Sequence, residues 1–213
     1  MSEKSRLKTM VLEQIAGRGI RSRRVLGAFL RVDRGIFVPP SHAGQAYGDH
    51  PVAIGCGQTI SQPFMVALML EALDLRRGMR VLEVGSGSGY LLALLRVLGA
   101  ETFGIEWHPE LANRARMNLE AAGVRGVALR QGDGGLGWPE AGPFHRIVVS
   151  AACPAVPEPL LDQLAPGGIL VAPVDDRTGQ VLVRCRKGPG GVKCERLEGC
   201  VFVPLVGRYG RTR

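Results

Sequence analysis

Aromatic residues are scarce in this 213-residue chain, at 5%, and lysine is scarcer still, four against 23 arginines. Without aromatics between its basic residues, the chain offers no surface for stacking nucleic-acid bases. No apolar run approaches bilayer-spanning length, and the opening MSEKSRLKTM has neither an apolar h-region nor a small-residue cleavage site. A cytoplasmic protein without membrane attachment is therefore expected. Cysteines 56, 153, 185, 194 and 200 form no CxxC pair and no His/Cys cluster at zinc-ligand spacing, so no metal is expected and all five read as reduced thiols.

What is present is enough apolar material, 46% of residues, to fill the core of one medium domain. The net charge of +8 arises from 27 basic and 19 acidic residues. Its densest run, Arg18, Arg21, Arg23 and Arg24, is short and the rest is scattered, which reads as a solvated basic face rather than a specific nucleic-acid partner.

Two periodicities divide the chain. Leu7, Met10, Val11, Gln14 and Ile15 recur at helical spacing, as do Val25, Leu26, Phe29 and Leu30 after a Ser22 cap, and Pro39-Pro40 is expected to end that unit. Beyond it, short apolar runs at 79–84, 102–105, 127–129, 147–149 and 169–174 read as buried strands separated by helical segments. Such alternation predicts a doubly wound, mostly parallel sheet of α/β class with an N-terminal helical extension. Runs at 181–186 and 192–197 flank KGPGG and predict an antiparallel hairpin at the sheet edge.

The chemistry gathers at strand ends. Glu83-Val84-Gly85-Ser86-Gly87-Ser88-Gly89-Tyr90 follows a strand and opens a helix, where glycines let backbone approach a ligand and the helix start offers free N–H groups. Tyr90 occupies the place of the third glycine of a dinucleotide fingerprint, which favours a smaller nucleoside ligand. Glu106, 21 positions after Gly85, can accept both hydroxyls of a ribose, and Asp133 in Gly132-Asp133-Gly134 can accept the exocyclic amine of adenine. Three such sites at the ends of three strands converge on one crevice.

These residues resemble class I S-adenosylmethionine-dependent methyltransferases. The segment FVPPSHAGQAYGDHPVAIGCGQTISQPFMVALMLEAL, with the later GSGY, GDG and FVPL, narrows the resemblance to the protein-L-isoaspartate O-methyltransferases. It implies a single methyltransferase domain over 1–213: a helical cap and substrate-side loop at 1–60, a cofactor-binding core at 61–175, and a hairpin and substrate-side tail at 176–213. It further implies methyl transfer from S-adenosyl-L-methionine, leaving S-adenosyl-L-homocysteine, to the stranded α-carboxylate of L-isoaspartyl peptides and proteins, by a monomer. Glu83, Gly85, Gly87, Gly89, Glu106, Asp133 and Gly134 are the expected cofactor contacts.

A carboxylate acceptor, with a reference pKa of about 3.3 to 3.7, is ionised at neutral pH and needs no general base. Alignment and a dry site suffice, and hydroxyl donors grip a carboxylate without quenching its nucleophilicity. Ser61, helped by Thr59, is therefore the expected catalytic residue, in agreement with the serine that the resemblance places there. Ser61 could instead cap the helix that starts at Gln62-Pro63. A related carboxyl methyltransferase acting on a dedicated peptide or small acid is the alternative activity, and a non-catalytic nucleic-acid binder is the alternative class. Val52-Ala53, Leu91, Trp107 and His145 depart from the family pattern, which leaves peptide preference open, and His145 is expected to be structural, at the start of the fourth strand.

Overall fold

The computed structural model describes residues 2–177 and 179–211. Helix α1 (Glu3–Thr9) starts on Ser2, whose hydroxyl accepts from the Ser5 N–H, and continues as a wider π-type turn over Met10–Ile15. Helix α2 (Arg23–Arg31) carries the predicted cap: the Ser22 hydroxyl accepts from the Val25 N–H at 3.4 Å. Pro39-Pro40 does not end the helical unit as expected. Pro40 instead opens a further 3-10 stretch, Pro40–Gln45, because proline is tolerated in a first turn where its missing N–H has no partner to lose.

The next stretch differs from a plain turn. Strands β1 (Val52–Gly55) and β2 (Gln58–Ile60) pair antiparallel in a small sheet of their own, so GQTISQP is half strand and half helix entry. Helix α3 (Pro63–Ala72) follows and is apolar on nearly every side. It is buried between the N-terminal turns and the rest of the protein, the environment that an all-apolar helix requires.

Alternation then gives β3 (Arg80–Val84), α4 (Tyr90–Val97), β4 (Glu101–Glu106), α5 (Pro109–Ala121), β5 (Val127–Gln131), β6 (Phe144–Val149), α6 (Glu158–Asp162) and β7 (Leu164–Asp176). Strands β8 (Gly179–Gly188) and β9 (Gly191–Cys200) form the predicted edge hairpin. The sheet order is β5-β4-β3-β6-β7-β8-β9, parallel up to β7 and antiparallel beyond. From β3 the chain runs outward through β4 to β5 and then returns to the other side of β3 as β6. That reversal opens a crevice at the carboxyl ends of β3 and its neighbours, where open α/β sheets bind ligands.

One apolar cluster packs α2, α3 and α4 against one face of the sheet, and a second, with Leu82, Ile147, Leu170 and Leu160, covers the other. Phe29 and Phe37 both pack on Tyr90, with ring centroids 6.0 and 5.4 Å away, and so seat the N-terminal unit on the helix that follows the glycine loop. The expectation of five reduced thiols is corrected: Cys185 and Cys194 are directly opposed on β8 and β9 and form a disulfide, while Cys56, Cys153 and Cys200 are free. Among the described residues no helix is long and apolar enough to cross a membrane.

Candidate active site

The loop after β3 is shaped by Gly85, Gly87 and Gly89, whose φ values of +79°, +50° and +87° are left-handed conformations that other residues adopt only with strain. The Gly85 and Ser86 N–H groups both donate to the Ile105 carbonyl, at 2.8 and 3.2 Å, and tie the loop to β4. Gly89 caps α4 without a side chain. The crevice therefore meets bare backbone and a helix start, groups able to hold a polar ligand closely.

Glu106 closes β4 and is 4% exposed. Its Oε2 accepts from the Gly87 N–H at 2.8 Å and its Oε1 from the His108 N–H at 2.9 Å. Each carboxylate oxygen keeps a second lone pair for the cleft that Glu106 lines with Gly85, Trp107, Gly134 and Ser150. At the end of β5, Gly134 forms the cleft wall. Asp133 Oδ1 accepts from the Gly135 N–H at 2.9 Å, and Oδ2 accepts from the Arg208 N–H at 2.8 Å. The GDG turn is thus joined to the C-terminal tail. Gly207 makes this contact possible: its φ is +128°, and a Cβ there would stand 2.3 Å from Asp133 Oδ1.

Glu83, within β3, is 1% exposed. Its Oε1 accepts from the Ser150 hydroxyl at 2.9 Å, and its Oε2 makes no hydrogen bond of ordinary geometry among the described residues, while the Leu92 N–H exerts a donor influence on the carboxyl. Burial pushes its carboxyl well above the ordinary range and the negative charge of Glu106 adds to this, against the hydrogen bond from Ser150. Glu83 therefore favours its neutral form and faces a small cavity shared with Ser61, Thr59 and the glycine loop.

Thr59 lines three neighbouring spaces: the cleft at Glu106, with about 40 Å3 free, the cavity at Glu83, about 30 Å3, and a wider cleft of about 380 Å3. Ser61 lines the last two. The wider cleft is walled by Arg18, Phe64, Met65, Glu198 and Phe202, with Val201, 87% exposed, at its lip. Ser61 does not cap α3. The cap position is Gln62, without a side-chain bond, and the Phe64 N–H goes to Asp49 Oδ1 at 3.2 Å. Asp49 Oδ2 also accepts from Gln62 Nε2 at 2.9 Å and from Arg18 Nη1 at 2.6 Å, and the Arg18 guanidinium lies over the Phe64 ring. With Asp49 in that role, the hydroxyls of Ser61 and Thr59 have no partner among the described residues.

Arg34 and Ser150 were not singled out by sequence reasoning, Arg18 was noted only within the basic run, and Asp49 only as part of the family-like segment. Asp49 caps a helix from well outside it, so no local capping pattern marks it. Of the departures, Trp107 lines the Glu106 cleft and Leu91 the small cavity. His145 is exposed at the start of β6, where its Nδ1 accepts from the Arg80 N–H at 3.1 Å, a structural place away from the crevice.

The described residues also hold no cluster of metal-ligating side chains. The profile of the family described as Protein-L-isoaspartate(D-aspartate) O-methyltransferase (PCMT) matches residues 5–210. A protein-L-isoaspartate O-methyltransferase of Anaeromyxobacter dehalogenans is 53% identical over 197 residues, covering 91% of this chain and 94% of that one. Another, numbered 1, from Syntrophobacter fumaroxidans is 49% identical over 201 residues and covers 94% of each. Among solved structures, a Plasmodium falciparum protein carrying the same enzyme name, in complex with S-adenosyl-L-homocysteine, superposes with a TM-score of 0.81 at 30% identity, over 97% of this chain and 99% of that one.

Proposed function

The chain belongs to the protein-L-isoaspartate(D-aspartate) O-methyltransferase family, and from that premise we propose that Ser61, helped by Thr59, holds the acceptor carboxylate in place for methyl transfer. The enzyme methylates the free α-carboxylate of L-isoaspartyl residues in damaged peptides and proteins, which initiates their repair through a succinimide. When bound, S-adenosyl-L-methionine supplies an electrophilic methyl group on a sulfonium sulfur.

The donor set fits that group. Bare backbone at Gly85 and Gly87 admits close approach, the free lone pairs of Glu106 suit the ribose hydroxyls, and Gly134 borders the adenine end, with Asp133 behind it holding the turn to the tail and Gly89 packed on Ala115. Glu83 Oε2, buried and without a hydrogen bond of ordinary geometry, suits the amino end. The cleft is narrow, and its outer walls are the β1–β2 hairpin and the 203–206 segment.

The observation that carries the role of Ser61 is its unpartnered hydroxyl on the wall common to the peptide-sized cleft and the glycine-loop cavity. A carboxylate gripped there lies where the two spaces meet, already ionised, so its residues need only orient it and keep it dry. The wider cleft, with apolar Phe64, Met65 and Val201 between Arg18 and Glu198, suits the peptide on either side of the damaged residue. In this reading the enzyme is a cytoplasmic monomer, and its +8 charge is a solvated surface with no specific nucleic-acid partner.

Labelled methyl transfer to two peptides that differ only in isoaspartate versus aspartate at one position tests the acceptor. Transfer to the isoaspartyl peptide alone is expected. Equal transfer to both would replace repair specificity with general carboxyl methylation.

A further inference from the structure

Arg34 is the largest fully buried side chain, at 0% exposure, and sits in the turn Arg34–Phe37 directly behind Ser61. Its guanidinium donates to three carbonyls: Ala46 through Nη1, and Ser61 and His50 through Nη2 at 3.1 and 3.4 Å. It makes no ion pair among the described residues, and its Nε has no partner. The neighbouring carboxylates are engaged elsewhere. Asp33 accepts from the Tyr47 hydroxyl and the Gly35 N–H, while Asp49 is paired with Arg18. Tyr90, also near, keeps its phenol neutral because burial raises its pKa. Around Ser61 there are thus two guanidinium charges, of which Asp49 pairs only that of Arg18; of the other carboxyls bordering the same spaces, Glu83 favours its neutral form and Glu198 stands on the wall of the wider cleft.

A cation removed from water without a counter-charge is strongly disfavoured, by several kcal/mol on the usual scale. Burial accordingly lowers the pKa of Arg34 from its ordinary value, and Tyr90 and then Asp49 only partly oppose this. Three backbone carbonyls could be tied together by neutral donors at far lower desolvation penalty. The missing charge matches the group that the Ser61 site takes.

We propose that Arg34 is a positioning residue for the acceptor: through the Ser61 peptide unit it supplies the positive potential that draws and holds the isoaspartyl carboxylate. The proposal rests on the carboxylate site at Ser61 and Thr59 described above. It also resolves a conflict in the chemistry. A guanidinium bonded directly to the carboxylate would engage the lone pair that must attack, whereas one placed behind a carbonyl attracts the anion without touching it. Because that attraction fades as the carboxylate becomes a neutral ester, Arg34 serves binding and not turnover.

The test uses the full chain saturated with S-adenosyl-L-homocysteine. It compares Kd for an isoaspartyl peptide with Kd for the same peptide bearing isoasparagine, in which a neutral amide replaces the α-carboxylate. In Arg34→Met the preference for the carboxylate peptide is expected to fall about tenfold, with KM for methylation rising and kcat undiminished. Arg34→Lys, which keeps the charge, should retain most of the preference. Equal weakening of both peptides in Arg34→Met, or an unchanged preference, would reduce Arg34 to a structural tie and overturn the proposal. If Arg34→Met fails to bind S-adenosyl-L-homocysteine, Arg34→Lys decides alone: a folded Lys variant without the preference refutes a role for charge. Ser61→Ala separates the two readings. An unchanged preference in Ser61→Ala removes the Ser61 site itself, whereas loss there with none in Arg34→Met removes only Arg34.

Discussion

The two ends of the parallel sheet treat their buried polar groups differently. At the amino ends, Arg146 is 5% exposed and uses all three nitrogens: Nε donates to the Leu73 carbonyl, Nη1 to that of His145 at 2.7 Å, and Nη2 to that of Asp74 at 3.0 Å. Arg80 Nε, at the start of β3, is the exception there, with no hydrogen bond and Glu101 Oε2 3.7 Å away. At the carboxyl ends, Arg34 Nε, Glu83 Oε2 and the Tyr90 hydroxyl are buried without hydrogen-bond partners among the described residues, and the half-buried Ser61 and Thr59 hydroxyls are free as well. Buried polar groups in native proteins are nearly always paired, so a concentration of exceptions marks the place where another molecule completes them. Arg80 Nε apart, the amino end is finished as folded, and the carboxyl end, where the exceptions gather, is finished by its ligands.

Substitutions at the two ends should therefore fail in different currencies. The largest effect is expected at Arg146. Arg146→Met orphans three carbonyls and should destabilise the protein by about 3 kcal/mol in chemical denaturation, without altering methyl transfer by the folded fraction. A comparable loss of kcat there would erase the distinction between the ends. Ser61→Ala should do the reverse, lowering turnover on the order of a hundredfold while stability and S-adenosyl-L-homocysteine affinity stay near wild type. Lost cofactor affinity with normal turnover would move Ser61 out of the acceptor site.

The smallest effect concerns Glu83. Its folded pKa lies above the ordinary value of 4.5, so the native state holds a proton that the unfolded chain has already released. Stability should accordingly fall as pH rises from 4.5 through the folded value, by at most about 1.4 kcal/mol per pH unit. Glu83→Gln should flatten that slope in urea titrations carried upward from pH 4.5. A slope unchanged by the substitution would mean that Oε2 finds water in solution and is not one of the unfinished groups.

Much of this architecture is legible in the sequence because its signals are local. Short apolar strands alternate with helical repeats, and the glycine loop, Glu106 and GDG each announce a strand end. The edge hairpin follows from KGPGG between two strand-like runs. What escapes has a non-local cause. Strands β1 and β2 are too short, at four and three residues, to show alternation. Strand β7 passes through Pro166, Gly167 and Gly168, which read as a breaker, because β6 pairs with it on both sides of that stretch. Cys185 and Cys194 meet only through hairpin register, and nine residues of separation carry no motif. Arg34 looks like any arginine in a polar turn until the 46–50 segment and Ser61 close around it.

The contact between Asp133 and Gly207 joins two distant positions into one unit of inheritance. A descendant of this chain can place a side chain at 207 only after the carboxylate at 133 has gone or the tail has lifted away. A change at 133 removes the clash but leaves the +128° backbone at 207, which strains any side chain, and a change at 207 arriving first meets the aspartate of the GDG turn as well. The order in which mutations can accumulate here is therefore set by geometry, and the permitted path begins at the aspartate.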